Sequence, residues 1–247
     1  MILSRSEQDR YDRQMRIHGW GTTGQRKLKA SKVAVVGVGG LGCLSSLYLA
    51  AAGIGRLYLV DKEKIRVSDL NRQILYCESD LEKQKADTAR KKLETLNPTT
   101  KVEAVLEEVT EGRVPAFMEH VDVVVDGLDN WRTRFIINEH CVRKGIPFVH
   151  AGVSQFYGQV TTVIPGKGPC LRCIFSKEPL EIEVVPVFGA TPAAVASLQV
   201  MEVIKHVTGI GRPLVGRMLF IDGEEMSFES VKIERKRDCP VCAQGEK

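Results

Sequence analysis

The chain has 247 residues, 43% of them hydrophobic and 27% charged, ordinary values for a globular protein with room for one large α/β core. Its net charge of +4 suits anionic ligands or an acidic partner but is too mild to indicate nucleic acid. The charged start, MILSRSEQDRYDRQ, lacks a signal-peptide apolar run and no membrane-crossing segment is expected, so the expected compartment is the cytoplasm; the seven cysteines then read as metal ligands and core thiols, not as a disulfide framework.

Residues 7–30 are expected to be helical in two pieces, broken between Gly19 and Gly24. The RYDRQ stretch at 10–14 sets Arg10 and Arg13 on nearly the same helical face, as a plain surface helix also would. The chain is organised around residues 33–61, VAVVGVGGLGCLSSLYLAAAGIGRLYLVD. A β-branched run at 33–36 meets Gly37, Gly39, Gly40 and Gly42, an alanine- and leucine-rich helix runs to Ala52, and a second apolar run at 57–60 ends on Asp61. Strand, glycine turn, helix, strand, acid is the order of a mononucleotide-binding βαβ unit. The glycines permit a tight turn and close approach of phosphate, the helix N-terminus offers N–H groups to an anion, and Asp61 sits where it can accept from ribose hydroxyls. Residues 33–55 carry no charge, but six glycines and two serines in that window argue against a membrane span.

The polar stretch after Asp61 contains Ser68-Asp69-Leu70-Asn71-Arg72-Gln73, five hydrogen-bonding side chains in six residues, in a loop long enough to suggest function. A helix at 81–96, capped by Ser79 or Asp80 and ended by Asn97-Pro98, carries Lys85 in its first turns. A strand at 102–106, a short helix at 111–120 and a strand at 121–126 (VDVVVD) follow; the unbroken β-branched run implies burial on both faces, hence a parallel sheet. Gly127-Leu128-Asp129-Asn130 comes next, then a helix to Lys144. Ligands of open parallel sheets bind beyond the carboxyl ends of the strands, so Asp61 and Asp129 point at one crevice.

A strand at 147–150 is expected to be extended by antiparallel strands over 153–165. An uneven segment then runs to Pro192, a helix spans 193–208, and a hairpin (215–221 and 226–233) turns at Asp222-Gly223. The basic cluster KIERKR at 232–237 has no interleaved aromatics and reads as a solvated strand end. Two CxxC pairs, Cys170/Cys173 and Cys239/Cys242, form a four-cysteine set suited to a structural Zn2+, which would tie the C-terminal tail to the body of the domain. Cys43, Cys77 and Cys141 read as buried or incidental thiols.

Taken together, RYDRQ, GVGGLG (37–42), Asp61, SDLNRQ (68–73), Lys85, GLDN (127–130) and the four paired cysteines resemble the adenylyltransferases that activate ubiquitin-like sulfur carriers, a family akin to the catalytic core of ubiquitin-activating enzymes. The resemblance spans nearly the whole chain. It implies one adenylyltransferase domain over 1–247, with N-terminal helices at 7–30, a Rossmann-like α/β core of mostly parallel sheet at 31–152, and an antiparallel extension with the zinc site at 153–247. The implied reaction is ATP-dependent adenylation of the C-terminal Gly-Gly carboxylate of a small ubiquitin-fold sulfur-carrier protein, with release of pyrophosphate. By this likeness the glycines approach the phosphates, Asp61 holds the ribose, and Arg72 and Lys85 neutralise the phosphates. Ser68, Asn71, Gln73 and Asn130 line the nucleotide site, Asn71 hydrogen-bonding the phosphates, and Asp129 binds Mg2+. Arg13 is similar to a family arginine that completes the active site of a second subunit, which implies a homodimer.

Two departures stand out. Residues 175–193 contain no cysteine for a thioester or persulfide, and Lys85 lacks the glycine and proline that often precede it in the family. No rhodanese-like domain is appended, so sulfur is expected from another protein. The competing readings are an NAD-dependent oxidoreductase, which has no use for SDLNRQ, Lys85 or GLDN, and a non-catalytic module binding a ubiquitin-like partner. Molybdopterin, thiamine, tRNA-thiolation and protein-modifier pathways all use similar activators, so the carrier stays open.

Overall fold

The structure, a computed structural model, describes residues 2–114, 118, 120–180 and 184–243. Two helices, α1 (Arg5–Met15) and α2 (Gly21–Ala30), lead into β1 (Lys32–Val36), α3 (Gly40–Ala52) and β2 (Arg56–Val60). Then come α4 (Lys85–Leu96), β3 (Lys101–Val105), β4 (Val123–Asp126), α5 (Trp131–Lys144), β5 (Phe148–Ser154) and β6 (Tyr157–Val163). The chain closes with the short α6 (Leu171–Ile174), the long α7 (Ala190–Thr208), β7 (Arg217–Asp222) and β8 (Ser227–Lys232).

The strands of the described residues lie in one eight-stranded sheet, ordered β3-β2-β1-β4-β5-β6-β7-β8. Pairings from β3 to β5 are parallel and those from β5 to β8 antiparallel. The alternation within β1 and β4 explains their unbroken apolar sequences. Val33, Val35, Val123 and Val125 pack with Leu49, Leu93 and Val200 on one face, whereas Ala34, Val36 and Val124 pack with Phe135 and Ile137 on the other. Helix α3 thus leaves β1 on one side of the sheet and α5 leaves β4 on the other. Between them, at the carboxyl ends of two adjacent strands, the chain directions diverge and open a crevice.

Backbones meet so closely there that only glycine fits. A Cβ on Gly42 would lie 1.9 Å from the carbonyl oxygen of Gly37, and one on Gly127 would lie 2.1 Å from the same atom. Gly37 also has φ +85°, in the left-handed region. Gly42→Ala is expected to force the turn and helix apart, costing about 3 kcal/mol or more and lowering Tm by roughly 6–12 °C in calorimetry. A wild-type melting curve would show that the turn yields without cost.

Several boundaries differ from the sequence reading. The break expected between Gly19 and Gly24 falls at residues 16–20 instead, so Gly24 lies inside α2, where a Cβ would meet the Trp20 ring at 2.9 Å. The helix expected at 81–96 starts at Lys85. Glu82 has φ 64°, and residues 82–84 are held by backbone bonds from Glu82 N to Ile65 O at 3.0 Å and from Ile65 N to Lys83 O at 2.9 Å. Ser79 and Asp80 accordingly belong to a separate 3-10 turn, in which Asp80 accepts from Cys77 N. Of the helix expected at 111–120, residues 110–114 form a turn closed by Thr110 and Arg113; 115–117 and 119 lie outside the described residues. Pro192 does not precede the long helix but occupies its first turn, where a missing N–H costs nothing. Cys43 and Cys141 are buried as expected, and Cys77 is exposed.

Candidate active site

The crevice is walled by the turns that end β1, β2 and β4. Helix α3 has no side chain capping its N-terminus at Gly39, so its first amides are open to an anion. Asp61, at the end of β2, reaches back to the turn: its carboxylate accepts from Val38 N and from Glu63 N, both at 2.8 Å. Burial pushes the Asp61 carboxyl up from its ordinary value, against those two N–H bonds and the Lys85 charge. Asp61 therefore shapes the glycine turn, and its carboxylate keeps acceptor capacity beyond these two bonds.

The SDLNRQ segment folds over this turn. The side chain of Gln73 approaches Gly39 and that of Arg72 approaches Gly40, each 3.6 Å from where a Cβ would sit. Gly189, just before α7, lies against Asn71, leaving 2.2 Å between a hypothetical Cβ and the Asn71 carbonyl oxygen. Asn71 is exposed and its amide oxygen accepts from Arg72 Nη1 at 3.0 Å; Ser68 is exposed and contributes its carbonyl to the same guanidinium at 2.7 Å.

Asp69, in the same segment, is a hub that the sequence reading missed. It accepts from Gln73 Nε2 at 2.9 Å and Arg66 N at 3.0 Å, and pairs with Arg72 at 3.4 Å and with Lys85 at 3.4 Å. The i, i+3, i+4 spacing of Asp69, Arg72 and Gln73 is the signal that could have revealed it. Lys85, the first residue of α4, is 4% exposed and donates to Glu63 at 2.7 Å. Burial pushes its ammonium down, but the Glu63 hydrogen bond and the charges of Asp61, Glu63 and Asp69 outweigh that and raise it above the ordinary lysine value. The cation is thus buried, charged and beside the glycine turn. One further observation favours a ligand: Gln73 Oε1 is buried and has no hydrogen-bond partner among the described residues.

On the opposite wall Asp129 is exposed and Asn130 caps α5, its side chain accepting from Thr133 N at 2.9 Å and donating to Asp129 at 3.4 Å. Beneath this loop lies a second feature absent from the sequence reading. Asp126 is bound by Arg134 Nε at 3.1 Å and by His150 Nδ1 at 2.6 Å, and Arg134 Nη2 also donates to the carbonyl of Leu128. No spacing rule links residues 126, 134 and 150, because a strand end, a helix turn and the next strand bring them together.

Arg13 is not brought to this crevice. Its neighbour Gln14 donates to the carbonyl of Ala52 at 2.8 Å, at the far end of α3 from the glycine turn. Since α3 has 13 residues, that end is about 20 Å away. Arg13 itself is exposed, and its side chain makes no ion pair or hydrogen bond among the described residues.

The four paired cysteines meet, as their spacing implied. Their sulfur atoms lie within 4.8 Å of one another, with Cys170–Cys239 at 3.7 Å and Cys173–Cys242 at 3.3 Å, all four buried. A tetrahedral ion with bonds of ~2.3 Å spaces its sulfurs by roughly 3.8 Å, so the set could hold a metal. Lys236 N donates to Cys173 Sγ at 3.4 Å, and Asn138 of α5 fixes the first knuckle by accepting from Leu171 N at 2.9 Å.

A doubly wound α/β sheet, a glycine turn at its switch point and cations gathered over that turn define a nucleotide-handling protein. Comparison with known proteins narrows the class: the family model described as ThiF family matches residues 11–241. The chain belongs to the ThiF family, and by that kinship it is an adenylyltransferase. It is 41% identical to the sulfur carrier protein adenylyltransferase of Thermus thermophilus, over 98% of this chain and 93% of that one. It is 40% identical to the SAMP-activating enzyme E1 of Haloferax volcanii, over 99% and 92% respectively. Among solved structures, E. coli MccB with ATP superposes with a TM-score of 0.85 at 26% identity, covering 97% of this chain and 75% of that one. This membership removes the NAD-dependent oxidoreductase reading. No helix among the described residues is long and apolar enough to cross a membrane.

Proposed function

We propose that the chain uses ATP to adenylate the C-terminal Gly-Gly carboxylate of a small ubiquitin-fold sulfur carrier. The observation that carries this reading is the gathering of Arg72 and Gln73 over a glycine turn whose Gly37 and Gly42 admit no Cβ, with the buried Lys85 paired to Asp69 of the same segment. Near-full-length likeness to relatives named for sulfur-carrier adenylylation and SAMP activation supports the carrier as substrate. The carrier carboxylate attacks the α-phosphorus; the bond to the bridging oxygen of the β-phosphate breaks, giving an acyl-adenylate and pyrophosphate. Negative charge concentrates on the phosphates in this step, so positioning and charge neutralisation dominate.

Each residue then has a role. Gly37, Gly39, Gly40 and Gly42 admit the phosphates to the α3 amides, with Asp61 at the ribose. Asn71 and Gln73 orient the nucleotide, the unpartnered Gln73 Oε1 suiting a donor on it. Arg72 and Lys85 exchange their present partners Asp69 and Glu63 for phosphate oxygens. Asp129, exposed at the rim, suits Mg2+, a hard cation held by carboxylate and phosphate oxygens that would neutralise charge on the triphosphate. The four-cysteine set suits a structural Zn2+, and the lack of cysteine at 175–193 favours adenylation without a thioester step on that segment. The whole of 1–247 serves as one adenylyltransferase domain acting in the cytoplasm.

Carrier-dependent exchange of labelled pyrophosphate into ATP tests the reading. A chain that binds the carrier but exchanges no pyrophosphate is a binding module instead.

Arg13 fits this site only if it comes from another chain, because its own crevice is about 20 Å away. A homodimer in which Arg13 enters the partner's crevice is therefore part of this reading. Arg13→Ala should cut exchange by roughly 10²-fold, as expected for one donor at developing charge, with little change in Tm. Mixing Arg13→Ala with Asp129→Ala chains should restore part of the activity, since a mixed dimer has one site with both groups. Background activity despite proven subunit exchange sinks the role in trans.

A further inference from the structure

The loop that carries Asp129 rests on an ion pair that stability alone does not explain. The Asp126 and His150 side chains are fully buried and the Arg134 side chain is 7% exposed, in an apolar cluster with Val124, Phe135 and Phe148. A buried pair gains little net stability over well-packed apolar residues of the same volume, because both charges lose their hydration. Its contribution is geometric. Arg134 spans two elements, placing Nε on the Asp126 carboxylate and Nη2 on the carbonyl of Leu128, the residue before Asp129. Asp126 holds the same loop from its other side, accepting from Leu128 N at 3.0 Å. Leu128 is thus gripped at both its N–H and its C=O by one ion pair. Gly127, pressed against Gly37, has no side chain with which to anchor the loop otherwise.

The pair is itself held in register. His150 bridges Asp126 at 2.6 Å and Gln159 at 3.1 Å, the Gln159 amide facing the ring nitrogen that does not face Asp126. The imidazole therefore carries its proton on Nδ1 and donates it to Asp126. Neutral histidine leaves Arg134 as the cation that balances Asp126, and Trp131 closes over the guanidinium with its ring centroid 5.0 Å away.

We propose that Arg134 is a positioning residue for the divalent cation at Asp129, acting through the Leu128 carbonyl and oriented by Asp126, His150 and Gln159. This rests on the reading that Asp129 binds Mg2+. Outer partners of metal-binding carboxylates typically change metal affinity by about 10–100-fold, and that is the effect expected here.

The test uses the full chain carrying Trp20→Phe, so that Trp131 is its sole tryptophan and fluorescence reports on this loop. At saturating ATP, Arg134→Lys should raise the Mg2+ concentration for half-saturation at least about 10-fold. ATP affinity measured in EDTA should stay within about 2-fold of wild type, and excess Mg2+ should restore the signal. Arg134→Gln, which keeps an N–H for Leu128 but no charge for Asp126, is scored the same way if the lysine variant does not fold. A folded variant with wild-type Mg2+ half-saturation overturns the proposal, as does loss of fold in both, which would make the pair a stability element. If instead wild type gives an Mg2+ response that Asp129→Ala does not alter, the metal reading of Asp129 fails, not the role of Arg134 in holding the loop.

Discussion

Asp129→Ala is expected to lower carrier-dependent pyrophosphate exchange by about 10²–10³-fold while leaving the fold intact. The separation of the two effects follows from where Asp129 stands. Its side chain is exposed, and the hydrogen bond it makes among the described residues is a long one, at 3.4 Å from the Asn130 amide. The capping of α5 depends on Asn130 and the shape of the loop on Asp126 and Arg134, so removing Asp129 disturbs neither. Surface changes of this kind usually alter stability by less than about 0.5 kcal/mol. In catalysis the carboxylate has no substitute on its wall: Asp126 is fully buried and already bound to Arg134 and His150. Exchange assays over a range of Mg2+, beside a melting curve, check both halves. Wild-type exchange in the variant would remove Asp129 from the mechanism.

The second large effect concerns the metal. Purified protein should contain about one zinc per chain, and Cys239→Ala with Cys242→Ala should abolish it and lower Tm by roughly 8–16 °C, corresponding to about 4 kcal/mol. Among the described residues the tail that carries these cysteines is also tied to the body by Lys236 N, which donates to Cys173 Sγ, and by Val241 and Ala243 packed against the core; Arg235 donates to the Cys242 carbonyl within the tail itself. Burial pushes the Cys170 thiol far above its usual range and Cys173 up to about 11, whereas at Cys239 hydrogen bonds outweigh burial and bring the thiol down to about 7. The thiolate is the metal-binding form, so a metal that binds there displaces thiol protons and zinc retention should weaken as pH falls. Metal analysis after gel filtration, with calorimetry on the same samples, decides it. Stoichiometric zinc in the double variant would refute the pairing of the two CxxC motifs.

The amino-acid sequence by itself determined the core of this protein, because the governing signals there are local. Residues 33–36 and 123–125 are β-branched almost without interruption, and such runs are stable only when both faces are covered, which implies a parallel sheet. The glycine turn before α3 was legible from spacing, since backbone that touches backbone tolerates no side chain. The four cysteines were legible because CxxC geometry fits one ion and two such pairs complete its coordination.

Tertiary structure decided what depends on residues distant in the chain. The start of α4 moved to Lys85 because Glu82 and Lys83 found backbone partners at Ile65 and Gln84 bridges Lys64, which outweighed the capping signal of Ser79 and Asp80. That shift also places Lys85 against Glu63 and Asp69. Asp126, Arg134 and His150 carry no motif and meet only because β4, α5 and β5 converge. The distance of Arg13 from its own crevice likewise appears only once α1 is seen docked at the C-terminal end of α3. Periodicity and spacing report what a segment does along its own axis; buried charges are chosen by partners that folding delivers from elsewhere.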